Sequence, residues 1–193
     1  MHTPAHTVFN LLLLGRRSQP RLILPITIGS VLPDAPMFLF YFWEKHLMGR
    51  TESWLWSTGY HEPSWQAFFD LFNSIPLLGL GALLSIWHGR RRLLAMFASM
   101  IVHSLSDLLL HHHDSHRHFF PFSEWRFESP VSYWDPRYYG HVFASLELLL
   151  VLAGCLVLIT TWKLRAVRLI AAGILLVYAL FIAFAISVWG SGF

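Results

Sequence analysis

Residues 93–111 read LLAMFASMIVHSLSDLLLH, and the fold class of the chain follows from them. The segment is mostly apolar and, at about 20 residues, long enough for one helix to cross a hydrocarbon core. Within it, His103 and Asp107 lie one helical turn apart. The chain continues as HHDSHRH, so that residues 103–118 hold six of the twelve histidines. This pattern predicts a membrane helix that contains potential metal ligands and ends in a histidine-rich segment.

The composition of the chain is that of a membrane protein. Hydrophobic residues make up 55% of the 193 positions and charged residues 13%, whereas soluble domains carry about a quarter charged residues. Nine tryptophans fit the same class, because Trp collects at the headgroup level. The formal charge is only +3 and the basic residues form short clusters, which disfavours a nucleic-acid partner. A single cysteine, Cys155, excludes an internal disulfide.

Hydropathy predicts an all-α integral membrane protein with about five transmembrane helices in the lipid bilayer. A short apolar segment, residues 4–14, precedes them and predicts a half-helix or an interfacial helix, since it is too short to cross. Arg16 and Arg17 follow this segment instead of preceding it, so we expect no cleaved secretory signal. The predicted spans are 22–43, 66–88, 93–111, 141–162 and 169–189.

Basic residues predict the orientation of these spans. Nine of the fourteen basic residues fall on one side if every span crosses. The positive-inside rule makes that side cytoplasmic, so the two longer loops, 44–65 and 112–140, are expected to face outward. We expect one membrane domain, 1–193, with the site in 1–140 and two generic spans in 141–193.

Four ionisable residues are predicted to meet inside the apolar layer, where such side chains are costly and mark functional sites. Asp34 lies about 12 residues into the first span, or roughly 18 Å from its cytoplasmic end. His103 and Asp107 lie about 10 and 14 residues into the third span, or roughly 15 and 21 Å from the same side. His6 reaches roughly 15 Å if residues 4–14 form a helix that ends at the cytoplasmic face. These side chains thus come from three segments to a similar depth.

The spacing of these residues favours a metal site. His103 and Asp107 at i and i+4 share one helix face, and His111 continues the stripe if the helix extends that far. Zinc accepts nitrogen and oxygen ligands and, in hydrolytic sites, keeps a position open for water. Pro33 and Pro36 interrupt the first span, and broken backbone at membrane depth is tolerated where it lines a cavity. A pocket is therefore expected at this point of the first span.

Each of these residues also has a plain structural explanation. A lone histidine in a span, such as His103, is more often a hydrogen-bonded packing residue than a ligand. Asp34 alone is explained equally well as a helix cap after a proline kink. Two carboxylates buried in a membrane without a cation are hard to sustain, however, and their combination with the histidines favours a metal.

The segment after the third span supplies further candidate ligands and a candidate general base, Asp114. A second candidate base is Asp70, which with Asn73 is equally well explained as a polar helix end. The histidine triplet 111–113 is alternatively a solvated helix end, and the two histidines beyond it are alternatively surface residues. The predicted metal ligands are His6, Asp34, His103, Asp107, His111, His113, His116 and His118.

Three motifs connect the chain with a known family. They are PAHTVFN with His6, VLPDAP with Asp34, and HSLSD with His103 and Asp107. With them the chain resembles the bacterial YdjM-like family of membrane-bound metal-dependent hydrolases. The run HHHDSHRHFFPFSEWRFESPVSYWDPRYYG resembles a subgroup often labelled as a cobalamin-biosynthesis protein. The resemblance, over roughly residues 1–140, implies a multi-pass protein of the bacterial inner membrane with a metal cofactor. The ligand types favour a divalent metal, with zinc as the first choice.

The chain departs from that family in one motif. The wider family carries H-R-G-x-T-H-S after the LPD segment, whereas the nearest match here is DLFNSIPL, with Asp70, Asn73 and Ser74. Either the later histidines replace the two that are missing, or the hydrolase activity is altered or absent. The order of an N-terminal His, a lone Asp and H-x-x-x-D is also similar to zinc-dependent phospholipase C and related nucleases. That similarity implies a phosphodiester or phosphomonoester substrate.

The leading hypothesis is a membrane-embedded metal-dependent hydrolase that cleaves a lipid or lipid-linked phosphoester through a metal-activated water. Arg126 and Arg137 then either bind the phosphate or pair with nearby acids. A divalent-metal transporter is one alternative. A metal-binding accessory subunit of a membrane complex is another, in which His103 and His141 are axial haem ligands.

Overall fold

The chain folds into helices joined by ordered loops. The structure, a computed structural model, describes the backbone of residues 1–189 and the side chains of residues 1–184, and the described chain contains no β-strand. The helices are α1 Thr3–Leu14, α2 Ile23–Val31, α3 Ala35–Phe42, α4 Glu52–Ser57, α5 Pro63–Asn73, α6 Ile75–Trp87, α7 Arg91–Leu110, α8 Gly140–Thr161 and α9 Arg165–Trp189.

Five helical segments of the described chain are long and apolar enough to cross a membrane. They confirm the predicted all-α membrane architecture, and their ends differ from the predicted ones by a few residues. The first span contains α2 and α3, and the second contains α5 and α6. The segments are Pro20–Leu47, Pro63–Trp87, Arg91–Leu110, Gly140–Thr161 and Arg165–Phe184.

The short N-terminal helix α1 lies in the interior of the fold and packs against α2, α7 and α8. Its apolar face, formed by Ala5, Val8 and Leu11, is fully buried. Gly154 of α8 makes the close approach possible, because a Cβ at that position would lie 2.4 Å from Val8 Cγ1. The segment is therefore a short helix whose apolar face is buried against other helices, which favours the half-helix over the interfacial helix.

Close packing between α2 and α7 sets the position of the site. A Cβ at Gly29 would lie 2.3 Å from the backbone oxygen of Met96, so only glycine permits this approach. Polar side chains connect the same helices. Ser99 Oγ donates to the carbonyl of Ile26 at 2.7 Å, and Asn10 Nδ2 donates to the carbonyl of Ser99 at 2.8 Å. These contacts fix the first and third spans and α1 relative to one another.

The first span is interrupted where its prolines predict a break. Helix α2 ends at Val31, a 3₁₀ turn covers Leu32–Asp34, and α3 begins at Ala35. The carbonyl of Pro33 accepts a hydrogen bond from Asn73 Nδ2 at 3.3 Å. The interrupted backbone is thus satisfied by the second span, and the turn places Asp34 beside the third span.

The histidine-rich segment is a folded loop and does not continue the third span. Helix α7 ends at Leu110, because His111 has extended backbone angles of −110° and 127°. Backbone hydrogen bonds then bring the loop back onto the helix end, from Ser129 N–H to the His111 carbonyl at 3.0 Å and from Tyr133 N–H to the Leu110 carbonyl at 2.9 Å. The expectation of a helix through residue 111 is wrong by one residue.

Candidate metal centre

A buried carboxylate, that of Asp107 on α7, lies at the centre of the predicted site. Its Oδ1 is 3.0 Å from His6 Nε2 and 3.3 Å from His111 Nε2. Its Oδ2 is 3.0 Å from His103 Nε2, and that same nitrogen is 3.3 Å from Asp34 Oδ1. The structure thus brings together five predicted ligands from α1, the first span, α7 and the following loop.

These short distances are ion-pair contacts in which the N–H direction is poorly aligned for a hydrogen bond. The Nε2 atoms of His6, His103 and His111 are buried and have no aligned hydrogen-bond partner among the described residues. Such orphaned polar atoms are rare in folded proteins and call for an explanation such as an ion. Two ligand atoms that bind one zinc tetrahedrally at about 2.0–2.1 Å lie about 3.3 Å apart. The nitrogen and oxygen atoms around Asp107 have the spacing of ligands that share a cation.

His103 and His6 each form a hydrogen bond through Nδ1, and these bonds orient the rings so that Nε2 faces the carboxylates. His103 Nδ1 donates to the backbone carbonyl of Ser30 at 2.8 Å, which leaves Nε2 as a lone-pair donor to a metal. Ser106 Oγ gives its hydrogen to a backbone carbonyl of its own helix and accepts from His6 Nδ1 at 3.2 Å. The two rings stack with centroids 3.6 Å apart. Metal-binding histidines are held in this way by second contacts.

Asp34 is held at the edge of the cluster and faces a cavity. Thr3 Oγ1 donates to its Oδ2 at 2.5 Å, and 21% of its side chain is exposed. Asp34 stands at the N-cap position of α3, but its side chain accepts no capping hydrogen bond from that helix. The helix-cap explanation therefore does not account for this residue.

A second carboxylate–histidine pair, Asp114 and His111, extends the cluster toward the outer loop. His111 Nδ1 lies 3.0 Å from Asp114 Oδ2, which also accepts a hydrogen bond from Trp134 Nε1 at 2.9 Å. Burial alone would lower the pKa of His111, but the negative charges of Asp107 and Asp114 outweigh it and raise the pKa to about 9. Burial would raise the pKa of Asp114, but His111 and Trp134 lower it to about 2. At pH 7 the His111 ring is therefore charged and paired with both carboxylates, so its Nε2 would have to lose a proton before it could bind a metal.

His116 and His118 continue the group of buried histidines. They are 5% and 1% exposed, so the alternative that they are surface residues is wrong. His118 Nδ1 donates to the carbonyl of His116 at 3.0 Å, and its Nε2 has no partner among the described residues. Burial and the neighbouring His116 lower the pKa of His118 to about 4, so its ring is neutral at pH 7. The ring centroid of His116 lies 5.9 Å from that of His111.

Asp70, a predicted general base, is fully buried and already paired. It accepts a hydrogen bond from the backbone N–H of Arg117 at 3.0 Å and another from the guanidinium of the same residue. His116 Nδ1 lies 3.4 Å from its Oδ1. These contacts favour a structural role, because Asp70 connects α5 to the histidine loop and orients His116. They do not favour the role of a free base.

Asn73 and Ser74, which follow Asp70 in the second span, contact the third span and the histidine-rich loop. Asn73 Oδ1 accepts from Ser104 Oγ at 3.2 Å, and Ser74 Oγ donates to the carbonyl of Phe120. The second span therefore holds the third span and the histidine-rich loop in place through hydrogen bonds.

Two other histidines that were predicted to bind a metal or a haem, His113 and His141, lie outside the buried cluster. His113 is exposed and lies at the rim, where its ring packs against Tyr138, so it does not join the buried cluster. His141 is exposed on α8, and His103 is enclosed by Ser30 and the carboxylates. This arrangement gives no support to a haem held between His103 and His141.

A cavity of about 580 Å³ adjoins the cluster. Its wall contains Asp34, His111, Asp114 and His116, together with apolar and aromatic side chains. A second, more polar pocket of about 230 Å³ includes Arg126 and shares several wall residues with the first. The shared residues are Tyr60, His61, His113 and Asp114.

Sequence reasoning missed the side chains that orient the ligands. Thr3, Ser30, Ser106 and Trp134 are ordinary polar or aromatic residues whose role depends on tertiary contacts. The i+3 spacing of Ser106 from His103 was the one available signal, and it is common in helices.

No family model matches the chain, and no curated protein or solved structure matches it. The resemblance to the YdjM-like family therefore stays a prediction.

Proposed function

We propose that this protein is a membrane-embedded metal-dependent hydrolase that acts on a lipid or lipid-linked phosphoester. The observation that carries the proposal is the set of buried imidazole nitrogens around Asp107 that lack hydrogen-bond partners among the described residues. Their donor type and spacing suit zinc, which is our first choice of metal. The described residues fit such an ion without a change of side-chain type.

The chain supplies metal ligands, hydrogen bonds that orient those ligands, and a proton acceptor for this chemistry. His6, His103 and Asp107 would hold the ion, with Asp34 and His111 next to them. A divalent ion there would activate a water and polarise a phosphoryl oxygen. Asp114 borders the cavity and is our candidate proton acceptor; because its pKa is about 2 it is a weak base, so it would accept a proton only from a water acidified by the ion.

The cavities support an amphiphilic substrate. Met37, Phe38 and Trp56 in the wall of the larger cavity suit an acyl or prenyl chain. In the polar pocket, Arg126 donates to Gln66 Oε1 at 2.9 Å and to the carbonyl of Ser115. These two partners are neutral, and the Asp70 carboxylate that also lies near the guanidinium is already bonded to Arg117, so we propose that Arg126 receives an anionic headgroup.

The two loop arginines differ in this respect. Arg137 forms an ion pair of 2.7 Å with Asp135, and three-quarters of its side chain is exposed, so we assign the phosphate role to Arg126 alone. The nearest carboxylate to Arg126 is that of Asp70, at 3.8 Å. Replacement of Arg126 by Lys is expected to raise KM with little change in metal content.

We further propose that the protein lies in the bacterial inner membrane with the site and the long loops facing outward. The support is the basic side of the predicted topology, which holds nine of the fourteen basic residues. Cysteine labelling of an exposed loop position such as Glu62 in intact cells tests this orientation, because only an outward position reacts with an impermeant reagent.

The experiment for the function is an assay with purified zinc-loaded protein in mixed micelles. The substrates are a phospholipid diester, a phosphatidic acid and a polyprenyl diphosphate, each assayed for headgroup or phosphate release. We expect release from one of the three, and its loss in His103→Ala and Asp34→Ala but not in His88→Ala, a control at an exposed histidine.

Hydrolysis of none of the three would contradict the proposal. Zinc flux into proteoliposomes without hydrolysis would instead favour the transporter. Zinc retention with neither activity would favour an accessory subunit.

A further inference from the structure

A second group of potential metal ligands lies outside the buried cluster, on the rim of the polar pocket. His112, His113 and Glu128 each offer one ligand atom, and these atoms lie within 4.8 Å of one another. His112 is half-buried, and the other two residues are exposed. Two imidazoles and one carboxylate form the ligand set of zinc sites that keep a position open for a further ligand.

The ring of His112 is oriented in advance. Its Nδ1 donates to the backbone carbonyl of Ser129 at 2.5 Å, so that Nε2 is the free ligand atom. Tyr138 stacks on the ring with centroids 3.6 Å apart. Ser129 is itself anchored to the end of α7, because its Oγ donates to the carbonyl of Leu109 at 2.6 Å. A histidine that only faced solvent would need no such support.

The other two ligands belong to the polar pocket. His113 and Glu128 both border it, as do Asp114 and Arg126. The ring of His113 lies against that of His112, with centroids 4.2 Å apart. The chain folds back between residues 113 and 128 to bring the carboxylate to the histidines, so the group comes from two separate loop segments.

We infer that His112, His113 and Glu128 bind a second divalent transition-metal ion at the mouth of the site. This outer ion is exposed to solvent and exchanges readily, whereas the buried ion is enclosed. The ion would lie beside the polar pocket, because His113 and Glu128 border it. The inference is independent of the phosphoester substrate, since it concerns zinc binding alone.

The test is a zinc titration of metal-free full-length protein in detergent, with bound zinc measured by elemental analysis after equilibrium dialysis. We expect wild type to bind one zinc equivalent more than the double variant His112→Ala/His113→Ala. The isosteric variant Glu128→Gln is expected to weaken the outer equivalent by about 10-fold or more, which keeps the test independent of any loss of folding. His61→Ala, at an exposed histidine of the same pocket, is the matched control and should bind as wild type does.

A variant of the buried centre distinguishes zinc binding at the two sites. His103→Ala should lose the tight zinc and retain the weaker one, and Co²⁺ in place of zinc should report the outer site by its visible absorption. Equal zinc binding by wild type, the double variant and Glu128→Gln would overturn the inference, whether or not any phosphoester is hydrolysed.

Discussion

Two buried carboxylates in this protein, Asp107 on α7 and Glu147 on α8, both lie beside histidines within membrane-spanning helices. Glu147 accepts from His2 Nδ1 at 2.7 Å, from the His2 backbone N–H at 3.1 Å and from the Tyr178 hydroxyl at 2.6 Å. No polar side-chain atom of those three residues is left buried without a partner. Around Asp107, by contrast, the imidazole nitrogens of His6, His103 and His111 have no hydrogen-bond partner among the described residues.

The difference lies in the imidazole nitrogens that are unpaired among the described residues, which favour the proposed metal site at Asp107 and not at Glu147. A buried acid with a histidine beside it is common to both places, so burial and residue type do not distinguish them. The Glu147 centre is complete with protein groups alone and connects the N-terminus to α9. Asp107 Oδ1 accepts from the charged Met1 amino group at 2.9 Å, but the surrounding imidazole nitrogens stay without hydrogen-bond partners among the described residues, and the proposed metal ion would satisfy them.

Metal removal should separate the two centres most strongly. A chelator is expected to lower the thermal midpoint of wild type and of Glu147→Gln by about 5–15 °C, since zinc at 100 to 1,000 times its dissociation constant contributes about 3–4 kcal/mol. Asp107→Asn should show no such shift, because it no longer binds the ion. The measurement is unfolding in detergent with and without chelator. An equal shift in wild type and Asp107→Asn would contradict the comparison.

A smaller effect is expected from the helix contact that supports only the Asp107 centre. Gly29→Ala places a methyl group against the backbone of Met96, which should destabilise the protein by about 1–3 kcal/mol and weaken zinc binding as α2 moves from α7. Gly79→Ala is the control, because its methyl group would meet nothing within 4 Å. Denaturant unfolding and zinc affinity are measured for both. Equal affinities in the two variants would show that this contact does not position the site.

The smallest effect is expected from a hydrogen bond that orients a proposed ligand, the one between Ser106 and the His6 ring. Ser106→Ala removes the acceptor of His6 Nδ1, and loss of such an acceptor weakens metal binding by about 10- to 100-fold. Ser145→Ala on α8 is the control, since Ser145 also bonds to the carbonyl four residues earlier but faces away from the site. Zinc affinity is measured by competition with a chromophoric chelator. Unchanged affinity in Ser106→Ala would mean that His6 does not bind the ion through Nε2.

The helical architecture could be predicted from the sequence because membrane spans leave a strong hydropathy signal. The proximity of His6, Asp34, His103 and Asp107 could also be predicted, since their depths follow from residue counts along helices that begin on the same side. The interruption of the first span at Pro33 could also be predicted, because proline lacks the backbone N–H that a helix needs.

The loop after α7 could not be predicted in the same way. The sequence HHHDSHRH has no periodicity that separates His113, which points outward, from His116 and His118, which point inward. Their directions depend on tertiary contacts such as the pairing of Asp70 with the Arg117 backbone. The partners of Glu147 were equally hidden, because Tyr178 and His2 are distant from it in the sequence.

The most direct test of the account is elemental analysis of the purified protein beside His103→Ala, Asp34→Ala and Glu147→Gln. We predict at least one equivalent of tightly held zinc in wild type and in Glu147→Gln. His103→Ala should lose it, and Asp34→Ala should retain clearly less than wild type. Unchanged metal content in both His103→Ala and Asp34→Ala would contradict a shared metal centre at Asp107.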